Sequence, residues 1–221
     1  RRDGIPPHAA VLGGLRNSNS MNDLKDKVIL ITGAGKGSGR LLAKAFAERE
    51  AIVAANDISP INVEETVEHI NAKGGRSKAY IEDVAKKVAA QYLVKQVEDD
   101  FGHIDILVNH AAVEPHIPLL DMDEWDWHRI MDVNLTGAFL MIQSVGRVMR
   151  EQGSGVIINL ITRPDSEVNE AAFVASMNGL EGLTRAAARE LNPYGIHVYT
   201  VENRGDKIVA SVFALLQTKN L

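Results

Sequence analysis

The chain has 221 residues, 45% of them apolar, and a formal net charge of −5, which is enough to bury the core of one α/β domain and short of two full ones. The acidic balance, without a long run of like charge, argues against a nucleic-acid or anionic-membrane surface and points to a small-molecule ligand. There is no cysteine, hence no disulfide or thiolate chemistry, and the seven histidines fall in no metal-ligand pairing.

Residues 1–22 carry Pro6-Pro7, Gly13-Gly14 and Asn17-Ser18-Asn19-Ser20, a turn-forming composition with little to bury. They are expected to form a flexible leader or packing arm, with residues 23–221 as one domain. No apolar run approaches membrane-spanning length, and Ala9-Ala10-Val11-Leu12 is too short for the core of a signal peptide, so a cytoplasmic location is expected.

The apolar run Val28-Ile29-Leu30-Ile31 ends in Thr32-Gly33-Ala34-Gly35-Lys36-Gly37-Ser38-Gly39 and continues as a helix with Leu41, Leu42, Ala45 and Phe46 at helical spacing. It reads strand, tight turn, helix. Residues without a Cβ at 33, 37 and 39 let the turn take positive φ and let a phosphate approach the N–H groups at the helix start, to which Lys36 and Ser38 also belong. The second strand, 51–56, ends at Asp57, about twenty residues beyond the glycines, as in a dinucleotide-binding unit. A carboxylate there accepts hydrogen bonds from an adenosine ribose and repels a 2′-phosphate, which favours NAD over NADP. Lys36 pulls the other way, and Asp57 is taken as dominant.

Further along, 63–73 reads as a helix stopped by Gly74-Gly75, 77–81 as a third strand leading into Asp83-Val84, and 88–101 as the next helix. A fourth strand over 104–109 runs into His110-Ala111-Ala112. Asp123 is placed to cap a long helix through Arg150, with Met131, Val133, Leu135 and Phe139 among its buried residues. Residues 155–160 make a fifth strand, 171–191 a long helix, 196–201 a sixth strand, and 206–221 a last helix. Strands alternating with helices require a parallel sheet with right-handed crossovers. The expected architecture is a doubly wound three-layer α/β sandwich, a Rossmann fold of strand order 3-2-1-4-5-6.

The loop Thr-Gly-x-x-x-Gly-x-Gly at 32–39, with the order of elements over 24–201, resembles the short-chain dehydrogenase/reductase family. The resemblance implies an NAD(P)-dependent hydride transfer between a nicotinamide and a carbonyl or alcohol carbon. It further implies that Asp83 and Val84 border the adenine and that Asn109 and Ala111 face the cofactor. His110 and Ala112 stand where the family has Asn and Gly. Asn134, in Val133-Asn134-Leu135, matches the family's helix-kinking asparagine, which supports a proton-relay water. On the same resemblance, the long helices at 124–150 and 171–191 pair between subunits, giving a homodimer or homotetramer.

The family's catalytic tyrosine and lysine, spaced Tyr-x-x-x-Lys, fall on Phe173 and Met177. Phenylalanine cannot ionise and methionine has neither charge nor donor, so the acid/base group and its cationic support are both missing. The serine position holds Thr162, whose hydroxyl can still orient a substrate oxygen. No tyrosine lies between Tyr92 and Tyr194 to take over. Tyr194 precedes Gly195 at the far sheet end, and Tyr199 is expected to pack within the last strand. His110, His116 and Asp165 are proton-exchanging groups on loops at the cofactor end. After the sixth strand Asn203-Arg204-Gly205 stands where the family has Pro-Gly, and the last helix follows without a segment for a substrate lid. The expectation is an NAD(H)-binding pseudoenzyme acting as a nucleotide-binding or partner subunit. An active NAD-dependent oxidoreductase and a structural subunit with no cofactor are its rivals.

Overall fold

A computed structural model of the protein describes residues 24–164, 166 and 168–218. The predicted leader, Asp165 and the end of the last predicted helix lie outside the described residues. The strands are β1 (Val28–Thr32), β2 (Ile52–Asp57), β3 (Arg76–Ile81), β4 (Ile106–Asn109), β5 (Gly155–Ile161) and β6 (Ile196–Glu202). All pair in parallel, in the order β3-β2-β1-β4-β5-β6, so the doubly wound Rossmann architecture is the observed one. The helices between and after them are α1 (Gly37–Ala47), α2 (Pro60–Ala72), α3 (Lys87–Phe101), α4 (Glu124–Met131), α5 (Gly137–Gln152), α6 (Ala171–Leu191) and α7 (Ile208–Thr218).

The central strands are apolar throughout because both sheet faces are covered. In β1, Ile29 and Ile31 enter a core with α1, α2 and α7, whereas Val28 and Leu30 enter the opposite one with α3 and α5. Helix α7 docks on α1 through Phe213, whose ring meets Phe46 edge-on at 5.0 Å while the Arg49 guanidinium lies 3.6 Å above it. No helix among the described residues is long and apolar enough to cross a membrane.

Three sequence expectations need correction. The helix expected over 123–150 is broken: a π-helical turn, Asp132–Thr136, separates α4 from α5, and Asp123 caps α4 by accepting from the Asp126 N–H at 2.7 Å. The extra residue in that turn rotates the following helix. Phe139 is therefore 42% exposed, and Met131, Val133 and Leu135 are only half-buried, while Ile130, Leu140 and Met141 take the core. Leu41, likewise, sits at the edge of the apolar face of α1 and is 40% exposed.

The strand order reverses between β1 and β4, and this switch point opens a crevice at the carboxyl ends of the strands. There the apolar runs give way to a row of polar residues, with Thr32 aligned with Asn56 and Asn109 with Asn159.

Candidate nucleotide site

The turn between β1 and α1 is built from close backbone approaches. Gly37 has φ +54° with open space where a Cβ would stand, so the start of α1 offers bare N–H groups to an anion. A Cβ on Gly39, by contrast, would lie 2.2 Å from the Gly33 carbonyl oxygen. Gly35, which sequence reasoning did not assign, donates its N–H to Asp57 Oδ2 at 2.9 Å, and a Cβ there would be 2.6 Å from that oxygen. The glycine was visible in the sequence; its partner was a matter of tertiary position. Arg40 locks the turn from below, with Nε donating to the Gly35 carbonyl at 2.8 Å and Nη2 pairing with Glu65 at 2.9 Å. Lys36 is exposed at the rim, and the Ser38 hydroxyl donates to Asn203 Oδ1 at 2.8 Å.

Asp57 closes β2 with both carboxylate oxygens engaged by main chain, Oδ2 by Gly35 and Oδ1 by the Ser59 N–H at 2.9 Å. Each oxygen keeps a further lone pair for a ribose hydroxyl. The acid lines a cavity of about 530 Å³ together with Gly33, Lys36, Asp83, Val84 and Ala111, within the usual size range of small-molecule sites. Asp83 accepts from the Ala85 N–H at 3.0 Å, which turns the chain from β3 into α3 and presents Val84 to the cavity wall. The Asn56 amide donates to the carbonyls of Tyr80 and Glu82, holding the ends of β2 and β3 together.

At the end of β4 the N–H groups of His110 and Ala111 both donate to Thr32 Oγ1 at 3.1 Å. His110 Nδ1 lies 3.1 Å from the Gly33 carbonyl, a contact that places the ring proton on Nδ1. Burial pushes the His110 pKa below the ordinary imidazole value, which disfavours the charged ring. Asn109 is placed differently from the other cofactor candidates. Its amide is buried and donates to Asn159 Oδ1 at 2.8 Å, and Asn159 in turn donates to Thr184 Oγ1 at 2.8 Å. This chain crosses from β4 through β5 to α6 outside the cavity wall.

The hydride-transfer end has another character. Asn134 sits in the π-helical turn with its amide bonded on both sides: Oδ1 accepts from the Val113 N–H at 2.8 Å, and Nδ2 donates to the Val113 carbonyl and to Ser176 Oγ. Phe173 and Met177 are 2% and 6% exposed and form an apolar cluster with Ala138, Ile161 and Leu180. The Met177 sulfur lies 3.5 Å from the Thr162 N–H. The fold thus brings Asn134, Thr162, Phe173 and Met177 together, around hydrocarbon and a thioether.

Of the other proton-exchanging groups, Glu114 and Glu170 adjoin this cluster: Glu114 follows Val113, whose main chain bonds Asn134, and the Glu170 carbonyl accepts the Val174 N–H in the first turn of α6. Tyr194 is in a turn before the amino end of β6, and the Tyr199 ring stacks on His197. His116 pairs through Nδ1 with Glu170 Oε1. Glu170 is 2% exposed, and its second oxygen has no partner among the described residues. Burial first, then the Glu170 charge, raises the pKa of nearby Glu114.

Fold, glycine turn and strand-end acid agree with what comparison finds. Residues 27–204 match the family described as short chain dehydrogenase, and the chain belongs to that family. It is 41% identical over 179 residues to a 3-oxoacyl-(acyl-carrier-protein) reductase of Staphylococcus epidermidis, covering 80% of this chain and 73% of the relative. Among solved structures, NAD⁺-bound xylitol dehydrogenase superposes with a TM-score of 0.78 at 32% identity, covering 81% of this chain and 70% of that one. A metagenomic short-chain oxidoreductase in complex with NADP gives 0.82 at 28% identity, covering 88% and 91%. The chain therefore has the NAD(P)-binding Rossmann fold of an oxidoreductase family whose members include both NAD⁺ and NADP complexes.

Proposed function

We propose that this protein binds NAD(H) in preference to NADP(H) and serves as a nucleotide-binding or partner subunit, without efficient oxidoreductase turnover of its own. The observation that carries this is the apolar filling at Phe173 and Met177, where the family's reaction places its acid/base and its cation. A nicotinamide held here would supply or accept the hydride. The chain's own residues must then move a proton to or from the substrate oxygen, and none of Asn134, Thr162, Phe173 and Met177 is suited to do so. Losing such a general acid typically costs 10²- to 10⁴-fold in rate. The preference for NAD(H) rests on Asp57, which is aimed into the cavity and repels a 2′-phosphate.

A working oxidoreductase is the second reading, favoured by Asn134 and Thr162 and by relatives named as dehydrogenases and reductases. A structural subunit with no cofactor is the third. Fluorescence titration of the purified protein with NADH separates them. Saturable micromolar binding without turnover on a panel of ketones and alcohols supports the proposal. Turnover at ordinary family rates selects the second reading, and no binding at millimolar NADH selects the third. The double variant Phe173→Tyr/Met177→Lys gains measurable turnover if these two positions are the whole deficit.

A further inference from the structure

The cofactor of the family has two halves, and this cleft treats them differently. At the adenosine end every feature fits: the open N–H groups at Gly37, the Asp57 carboxylate, and the Asp83-Val84 wall of a cavity of about 530 Å³. The cavity continues towards α4, where Arg129 and Val133 line it. Its wall includes none of Ser38, Thr162, Phe173, Met177 and Asn203.

Thr162, Phe173, Met177 and Asn203 belong to the end where a nicotinamide riboside would lie, and Ser38, in the anion-binding turn, is tied to that end through Asn203. Phe173 and Met177 are packed into hydrocarbon, and the Met177 sulfur lies against the Thr162 N–H. The Ser38 hydroxyl and the Asn203 amide oxygen bond each other at 2.8 Å, and the Asn203 N–H donates to the Ile161 carbonyl at 2.7 Å. The first turn of α1 is thereby tied to the ends of β5 and β6. A nicotinamide ribose arriving here would meet a thioether at Met177 in place of an ammonium, and the Ser38 hydroxyl and Asn203 Oδ1 are already bonded to each other. Desolvating a polar ligand against such a surface yields no net affinity.

We propose that the cleft recognises an adenosine diphosphate moiety alone, so that ADP or ADP-ribose is as good a ligand as the complete dinucleotide. The inference rests on the nucleotide-binding reading above and narrows it to one half of the molecule. A subunit of this kind responds to adenine nucleotides without regard to the redox state of a nicotinamide.

Isothermal titration of the full chain with ADP, ADP-ribose, NADH, NAD⁺ and nicotinamide mononucleotide tests this. The expected result is Kd values for the first four within about threefold of one another, with no binding of the mononucleotide at millimolar concentration. NADH or NAD⁺ binding more than about threefold tighter than ADP-ribose overturns the proposal and leaves the dinucleotide reading standing. So does displacement of NADH by nicotinamide mononucleotide. No binding of any adenine nucleotide overturns both.

Discussion

Asp57 is the single side chain on which both affinity and cofactor choice turn. Hydrogen bonds to a charged partner are worth about 1.5–3 kcal/mol, and each 1.4 kcal/mol is a factor of ten in binding. Asp57→Ala is therefore expected to weaken NADH about 10- to 100-fold. NADPH loses less, because the repulsion of its 2′-phosphate disappears and Lys36 remains, so the NADH:NADPH ratio of Kd values moves towards one in parallel titrations. The variant also frees the Gly35 and Ser59 N–H groups, so a melting curve belongs beside the titration. His110 gives a prediction about pH. Burial depresses its pKa below the ordinary 6.5, which means the unfolded chain takes up a proton more readily than the fold does. The stability it contributes is complete above 6.5 and is lost as the pH falls below that value towards the folded pKa. Glu114, whose pKa is raised, acts in the opposite sense. The informative quantity is therefore the difference between wild type and His110→Asn. Urea unfolding followed from pH 8 downward should show the wild type losing stability on acidification relative to the variant, by at most about 1.4 kcal/mol per pH unit.

At the scale of elements, the turn from β1 into α1 separates two uses of glycine. Gly37→Ala meets no atom but holds a Cβ in the left-handed region, a strain of about 1–2 kcal/mol, and it places a methyl where the anion approaches. The fold is expected to survive while NADH and ADP bind at least tenfold more weakly. Gly39→Ala drives a Cβ against the Gly33 carbonyl and is expected to cost about 3 kcal/mol or more in urea unfolding, overpacking that backbone cannot relieve. Equal loss of stability in the two variants would contradict this division. The sheet order was legible in the sequence because strands alternating with helices leave one right-handed way to wind, and both faces of β1 are buried. The break between α4 and α5 was not legible. Its cause is tertiary: Asn134 bonds Val113, 21 residues back, and Ser176, 42 residues on. Likewise the residue types at 109, 134 and 173 were readable, but not that the Asn109 amide turns into a buried chain with Asn159 or that Phe173 is enclosed. Periodicity marks the buried face of a helix and leaves its width open, so Phe139 reads as buried, and Leu41 as part of the apolar face of α1, though both are exposed.

The whole molecule presents one face whose composition suits a second copy of itself. Between α5 and α6 lies a groove of about 350 Å³ lined by Phe139, Ile142, Gly146, Leu183, Ala187 and Tyr194. Gly146 and Ala187 form the buried floor of the groove, Gln143, Arg147, Arg150 and Glu190 also line it, and Phe139, 42% exposed, is a large apolar side chain on the rim. A stable dimer covers about 800 Å² on each partner, more than the groove alone supplies, so the whole exposed length of both helices has to take part. A two-fold axis through this face would pair α5 and α6 of one copy with those of the other. The expected mass in solution is then at least twice the 24.1 kDa of the chain. Phe139→Glu changes an exposed position, so the protomer should fold normally, while in a dimer the carboxylates of both copies are desolvated against apolar surface. Light scattering behind size exclusion is expected to show the variant as a monomer. Its melting temperature should lose the concentration dependence that a wild-type dimer would have by mass action. A wild-type chain that elutes at 24.1 kDa at micromolar concentration would rule this pairing out.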